Sequence, residues 1–308
     1  MLRDVRHGGN SGKPRGQIEE ASANWNFETG GEVHALAVGR GGTIYAGSDD
    51  GKVYALSPDG AIKWKSPIAR WGIHGLAEGN GGTVYAGALD GEVFALSPKD
   101  GAVKWKTGTG GAINALAVGD GGDIFAGSSD HAVYAFTADG RAKWKSRIAE
   151  GEIEALAVYK GTIYAGSFDG KVYALSSDGT LKWKFQTSRM IYALAAGNHG
   201  AIYAGGLDGN VYAISPDDAL LWKSPTAALG GVYALVVASG GTVYAGVQSA
   251  GNNIFGFAAD GRLRSNFGVG GDVSALAMSG DGTIIYSGSS DRHVYALSTQ
   301  GKAIRWPF

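Results

Sequence analysis

The stretch GTIYAGSDDGKVYALSPDGAIKWK, from Gly42 to Lys65, decides the fold because close copies of it return along the chain. The spacing between copies is about forty residues, which is typical of repeat architectures. Each copy follows a short apolar phrase, which in the first copy is VHALAV from Val33. The later copies begin at Gly82, Gly122, Gly161, Gly200, Gly241 and Gly282, which makes seven units in all.

Each unit contains four short runs rich in Val, Ile and Tyr, separated by turn residues and too short for typical helices. In the first unit they are residues 33–38, 43–47, 52–56 and 61–65. The turns carry Asp-Gly and Ser-Pro-Asp-Gly, which favour tight hairpins. We therefore predict an all-β fold, a seven-bladed β-propeller of four-stranded antiparallel blades. Residues 18–308 are expected to form this single domain, and residues 1–17 are expected to be a flexible N-terminal tail.

The fourth run of each unit predicts an outermost strand. Lys63 and Lys65 lie on either side of Trp64, and lysines on an exposed edge strand oppose edge-to-edge aggregation. We expect this Trp, and those at the same position of the other units, to dock against the neighbouring blade. The ring is expected to close through the strand at residues 23–27, which carries Trp25 and pairs onto the last blade. The C-terminal segment at residues 302–306 is then displaced or forms a fifth strand.

Composition excludes several classes of function. The chain has 308 residues, no Cys and a formal net charge of -1. Without Cys there are no disulfides, thiol catalysis, iron–sulfur clusters or thiolate zinc sites. A charge this close to zero gives no electrostatic footprint for nucleic acid. No apolar stretch reaches the roughly 18 residues of a membrane helix. No apolar run follows the basic N-terminal residues either, so the chain as written has no signal peptide and predicts a cytoplasmic protein.

The phrase IYAGSDDGKVYALSPDGAIKWK resembles the blade signature of the quinoprotein-like (PQQ-like) β-propeller repeat family with tryptophan-docking motifs. The resemblance covers almost the whole chain. The family pattern A-x-D-x-x-T-G-x-x-x-W keeps its length from Ala95 to Trp105, with Ser97 in place of Asp and Asp100 in place of Thr. In the sixth unit Ser265 stands where the Trp is expected.

The family resemblance bears on two questions, whether the chain uses a quinone cofactor and whether it is exported. Quinone-dependent dehydrogenases of this family use a calcium-ligand cluster and usually an adjacent Cys pair, and this chain has no Cys. We therefore expect no cofactor. Other members are non-enzymatic scaffolds, such as the propeller lipoprotein that assists outer-membrane barrel assembly. That resemblance implies possible export, so the compartment stays open.

One position varies freely while its neighbours stay nearly constant, and it predicts a site. It is the second residue of the first strand in each unit, and this strand should line the central channel. We predict a ligand pocket at one channel mouth, with Arg70 and Trp71 at its rim; the competing interpretation is an ordinary wet channel lining. The seven residues are His34, His74, Asn114, Glu154, Tyr192, Tyr233 and Ser274.

Metal and catalytic interpretations of these residues are weaker. A metal shared by His34, His74 and Glu154 would rest on unspaced histidines, so we predict no metal. The Asp that recurs in the second turn, as at Asp50, is expected to cap the turn rather than to bind calcium. No nucleophile–base pair is evident, so no catalytic residue is predicted.

These observations favour a non-enzymatic binding or scaffold propeller, with a possible site for a small polar ligand or peptide at the channel mouth. Two alternatives stay open: a channel-mouth lyase or hydrolase that uses His and Glu, and a recently amplified or engineered repeat without an evolved ligand. Expected partners are a protein or a small polar ligand, without nucleic acid or membrane insertion, and the chain is expected to be a monomer.

Overall fold

Seven four-stranded antiparallel sheets make up the protein, arranged as the blades of a propeller. The computed structural model describes residues 24–197, 199–226, 230–248 and 252–299. The predicted tail, residues 1–17, and the C-terminal segment, residues 302–306, lie outside these ranges. Across the described ranges, no helix is long and apolar enough to cross a membrane. The predicted all-β fold with seven blades is confirmed.

Twenty-eight strands are numbered in chain order, and blade 1 is β2 to β5. Blades 2 to 6 follow in groups of four, and blade 7 combines β26, β27 and β28 with β1. A 3-10 turn occupies Asn80–Gly82. The strands are β1 (Trp25–Glu28), β2 (Val33–Val38), β3 (Ile44–Ser48), β4 (Lys52–Leu56), β5 (Ile62–Pro67), β6 (Ile73–Glu78), β7 (Val84–Ala88), β8 (Glu92–Leu96), β9 (Val103–Gly108), β10 (Ile113–Val118), β11 (Ile124–Ser128), β12 (Ala132–Phe136), β13 (Ala142–Arg147), β14 (Ile153–Tyr159), β15 (Thr162–Ser167), β16 (Lys171–Leu175), β17 (Leu181–Gln186), β18 (Ile191–Ala196), β19 (Ile202–Gly206), β20 (Asn210–Ile214), β21 (Leu220–Pro225), β22 (Val232–Val237), β23 (Val243–Val247), β24 (Asn252–Phe257), β25 (Leu263–Gly268), β26 (Val273–Met278), β27 (Ile284–Ser289) and β28 (His293–Ser298).

The apolar core lies between the blades. Both middle strands of a blade are buried on their two faces, which is why IYAGS and VYAL are apolar at nearly every position. One cluster joins Val53 of blade 1 to Phe94 of blade 2, and each neighbouring pair shares a similar cluster. Gly47 permits a close approach between blades 1 and 2, because a Cβ there would lie 2.7 Å from the carbonyl oxygen of Ile73. The blades therefore depend on one another for burial.

Tryptophans on the outer strands of six blades dock each of these blades to the next. The indole Nε1 of Trp64 donates to the carbonyl oxygen of Pro98 in blade 2 at 2.9 Å. Its ring lies over Gly101, where a Cβ would approach the ring to 2.7 Å. The same donation to the following blade is made by Trp25, Trp105, Trp144, Trp183 and Trp222. Blade 6 carries Ser265 at this position, so its junction with blade 7 has no indole from this strand.

The ring closes through the N-terminal strand. β1 pairs antiparallel with β28, so that Trp25 lies opposite Ala296 and Phe27 opposite Val294. The Trp25 ring also packs against Tyr286, with 5.9 Å between ring centroids. The expected contact between Trp25 and the last blade is therefore confirmed. Both ends of the described chain lie in one sheet, and this joins blade 7 to blade 1.

Candidate functional site

The seven variable residues occupy equivalent positions in the innermost strands, and each is the extra residue of a β-bulge. In blade 1, Val33 pairs with Ser48 and Ala35 pairs with Gly47, which leaves His34 unpaired between them. The other six inner strands show the same register shift. A bulge re-aims a side chain away from the regular alternation of a strand. Here it directs seven side chains of five residue types from equivalent backbone positions toward the channel mouth.

These residues line one cavity of about 680 Å³. His34, His74, Asn114, Glu154, Tyr192, Tyr233 and Ser274 all contribute to its wall. Two residues further along each inner strand, a ring of leucines follows at positions 36, 76, 116, 156, 194, 235 and 276. The cavity therefore has two layers: a rim of bulge residues that differ from blade to blade, and a ring of leucines next to it.

Arg70 and Trp71 lie in the loop before β6 and are not among the described residues that line the cavity. Trp71 is 56% exposed, and the guanidinium carbon of Arg70 lies 5.6 Å from the centroid of its ring. They form a neighbouring surface, and their predicted part in binding stays a prediction.

His34 and His74 come together with a carboxylate from the blade 1 hairpin. Their rings stack with 4.2 Å between centroids and 21° between planes. His34 Nε2 lies 3.2 Å from Asp49 Oδ2, and His74 Nε2 lies 3.1 Å from Asp49 Oδ1. Burial lowers the pKa of His74, and the charge of neighbouring His34 lowers it further. This His–Asp–His cluster lies at the junction of blades 1 and 2.

Glu154 takes no part in that cluster and pairs instead with Asn114. Asn114 Nδ2 donates to Glu154 Oε1 at 2.6 Å. Burial, helped by the charge of the nearby Glu152, raises the pKa of Glu154 to about 7, and the hydrogen bond from Asn114 opposes the shift. A carboxyl group that titrates near neutral pH can act as either a proton donor or a negative charge.

Two tyrosines form an aromatic wall beside Glu154. The rings of Tyr192 and Tyr233 lie 4.6 Å apart between centroids, and Phe168 meets Tyr192 edge-on at 5.1 Å. Ser274 completes the ring between blade 6 and blade 1. The cavity thus has two histidines on one side, at blades 1 and 2. The other side, at blades 4 to 6, is acidic and aromatic.

The recurring Asp of the second turn is structural, as predicted. Asp50 Oδ1 accepts the backbone N–H of Lys52 at 3.2 Å, and Asp50 Oδ2 accepts the hydroxyl of Tyr54 at 2.6 Å. That hydroxyl in turn accepts the N–H of Gly30 at 3.0 Å. Equivalent Asp–Tyr pairs recur at Asp130, Asp169, Asp208 and Asp291. In each of these residues one carboxylate oxygen accepts the tyrosine hydroxyl, which fixes the turn to the neighbouring strand.

Sequence reasoning missed four acidic residues beside the ring. Asp49 precedes the turn Asp, and Glu32, Glu152 and Asp272 each precede the first residue of an inner strand. Both positions vary between copies just as the ring position does: the residues equivalent to Asp49 are Leu89, Ser129, Phe168, Leu207, Gln248 and Ser290. The comparison of copies that found the ring would have found these residues too.

The Glu154 environment predicts an unusual pH dependence of stability. The folded-state pKa is raised above the unfolded value near 4.5, so the folded protein holds a proton that the unfolded chain releases. Stability is therefore fully present below pH 4.5 and is lost as pH rises through about 7. We expect wild type to lose about 1–3 kcal/mol relative to Glu154→Gln between pH 5 and pH 8.

Urea unfolding at both pH values measures this difference in the free energy of unfolding. Glu150→Gln is the control, because Glu150 lies in the same blade with its side chain 86% exposed. Parallel pH profiles for wild type and Glu154→Gln would contradict the assignment.

Comparisons with known proteins agree with the architecture. A family model described as outer membrane protein assembly factor BamB matches residues 10–115 and 91–307. Among solved structures, the chain is similar to the WD40 β-propeller domain of Doa1 at a TM-score of 0.78 and 16% identity, covering 90% of this chain and 96% of that one. At this identity the likeness shows the fold alone. A search of curated proteins returned no match to the chain. Fold and family together support a scaffold or binding propeller.

Proposed function

Since the chain belongs to the PQQ-like repeat family whose model is described as outer membrane protein assembly factor BamB, we propose that it is a binding propeller that holds a peptide segment at its channel mouth. The observation that carries this proposal is the ring of seven bulge residues. Seven nearly identical blades present chemically different residues at the equivalent position around one cavity. An assembly factor for outer membrane proteins acts on other proteins, and this role supports a protein partner.

The charges around the cavity favour a positively charged segment. Glu32, Glu154 and Asp272 line the cavity, and its described lining residues include neither Lys nor Arg. The neighbouring rings of Tyr192 and Tyr233, tilted by 38° to each other, offer an aromatic face for the aliphatic stem of a Lys or Arg, or for the cation itself. A volume of about 680 Å³ is within the usual range of roughly 300–1,000 Å³ for ligand sites. A basic peptide end fits this chemistry.

One observation favours catalysis as a second candidate function. Glu154 has a pKa raised to about 7, which suits general acid–base chemistry. Its hydrogen-bond partner is Asn114, and the histidines belong to a different cluster across the mouth. A hydrolase would consume its peptide, so analysis of the recovered peptide distinguishes the two functions.

Fluorescence anisotropy with a labelled Lys/Arg-rich decapeptide tests the proposal. We expect binding that weakens at high salt and strengthens from pH 6 to pH 8 as Glu154 loses its proton. Glu154→Gln should remove this pH dependence, and Tyr192→Ala should weaken affinity by roughly tenfold, in line with loss of a stacked aromatic contact. Glu150→Gln is the exposed control.

The same measurement uses an acidic decapeptide and a panel of mono- and disaccharides, all in a buffer with a metal chelator. Equal affinity for acidic and basic peptides, or unchanged affinity in both site variants, would overturn the peptide site. If a sugar binds saturably and the peptide does not, the cavity is a carbohydrate site and the peptide proposal is wrong.

A further inference from the structure

The His–Asp–His cluster (His34, Asp49 and His74) has the composition and spacing of a transition-metal site. We propose that it binds one Zn²⁺ ion at the junction of blades 1 and 2. The three ligand-bearing atoms all lie within 4.8 Å of one another. This site lies beyond the peptide-binding proposal and does not depend on it.

The interatomic distances suit a tetrahedral ion. Ligands about 2.0–2.1 Å from Zn²⁺ lie roughly 3.3 Å from each other. His34 Nε2 and His74 Nε2 lie 3.2 Å and 3.1 Å from the two oxygens of Asp49. The two imidazole rings are stacked face to face, and both Nε2 atoms point to the same carboxylate. Small movements of these three side chains would let an ion occupy the space between the carboxylate and the two imidazole nitrogens.

The repeats provide an internal comparison that points to a ligand. The position of His34 and His74 is filled by other residue types in the remaining five blades, and the position of Asp49 has a carboxylate in blade 1 alone. The blade therefore folds without these residues. The three residues converge at one junction, although they occupy two different positions of the repeat and come from two different blades.

The surroundings favour a cation and leave room for a fourth ligand. Glu32 Oε2 lies 3.6 Å from His34 Nε2 and adds negative charge. The histidine side chains are about a quarter exposed and face the cavity. Three protein ligands with one open position is the arrangement of accessible zinc sites. Either Glu32 or a water from the cavity can complete the coordination.

Ligand type distinguishes Zn²⁺ from the commoner hard cations. Two imidazole nitrogens suit Zn²⁺ and its neighbours Co²⁺, Ni²⁺ and Cu²⁺. Mg²⁺ and Ca²⁺ prefer all-oxygen shells and should not compete at this cluster. Co²⁺ therefore serves as a spectroscopic probe of the same site.

Isothermal titration of chelator-stripped, untagged full-length protein with ZnCl₂ tests the proposal. We expect one Zn²⁺ ion per chain and no binding of Mg²⁺ from MgCl₂. Bound Co²⁺ should show the visible absorption of a tetrahedral site, and added Zn²⁺ should displace the Co²⁺ and abolish this absorption. His74→Ala and Asp49→Asn should each weaken Zn²⁺ affinity by at least ~10-fold, because even residues that only support a ligand have effects of this size. His293→Ala is the matched control, since His293 Nδ1 also lies near a carboxylate, 3.5 Å from Asp291 Oδ1.

Absence of stoichiometric Zn²⁺ binding, or equal affinity in wild type, His74→Ala and Asp49→Asn, would overturn the site. If His74→Ala does not fold, Asp49→Asn decides the outcome, because it is nearly isosteric. No peptide is present in this titration, and the peptide assay contains chelator. Failure of one proposal is therefore distinguishable from failure of the other.

Discussion

A chain that begins at Gly30, and so lacks β1, is expected to melt at a temperature roughly 10 °C or more below that of the full chain. The deletion leaves β28 as an unpaired edge and removes the Trp25 side chain, whose loss alone is worth about 3–5 kcal/mol. It also removes the donation from Trp25 Nε1 to the carbonyl oxygen of Pro58, which joins blade 7 to blade 1. Differential scanning calorimetry measures the change.

The control for this deletion is a chain that begins at Asn24, which keeps the whole of β1 and should melt near the full-length value. The competing segment, residues 302–306, could in principle supply the outer strand of blade 7. An unchanged melting temperature in the chain that begins at Gly30 would therefore contradict closure by β1.

The second large effect is expected at the docking tryptophans. Trp64 is 8% exposed, and its ring is held over Gly101 with its N–H donated to Pro98. We expect Trp64→Ala to reduce the free energy of unfolding by about 3–5 kcal/mol. Trp64→Phe keeps an aromatic ring, so it should destabilise the protein less than Trp64→Ala. It still leaves the Pro98 carbonyl without its donor, which should add about 1–2 kcal/mol to the loss from packing.

Ser265 provides the matched control, because it occupies the same strand position in blade 6 without an indole. Ser265→Ala should change stability by no more than about 0.5 kcal/mol in guanidinium unfolding. Equal losses in Trp64→Ala and Ser265→Ala would contradict the docking role.

The repeats made most of the architecture predictable. Blade number follows from the strand phrases that recur in all seven copies, and the closing strand follows from Trp25, which matches the outer-strand tryptophan of most copies. The ends of strands were less predictable: β5 runs to Pro67, two residues beyond the predicted end, because pairing with Lys52 extends it. Turn residues such as Gly60 marked the hairpins but not the last hydrogen bond of each strand.

The candidate site was predicted as a set of positions rather than as a set of contacts. Variation between copies identified His34 and Glu154, and the structure brings both to one cavity. Their partners depend on how each bulge directs its side chain and on which blade lies alongside. His34 thus meets Asp49 and His74, whereas Glu154 meets Asn114. Spatial neighbours of this kind come from tertiary packing, which a single strand pattern does not encode.

The pairing of β1 with β28 also has a consequence for the order in which the protein is made. Every other described sheet joins strands that are consecutive in the chain, so blades 1 to 6 can each be completed as their residues leave the ribosome. β1 is synthesised before all of them, and its partner His293–Ser298 is synthesised after all of them. Trp25 and Phe27 therefore lack their partner strand while blades 1 to 6 and the rest of blade 7 are synthesised. Apolar strand residues in that state are the surfaces that chaperones bind and that aggregate when unprotected. Of the described strands, β1 is the first to be synthesised and its partner β28 is the last.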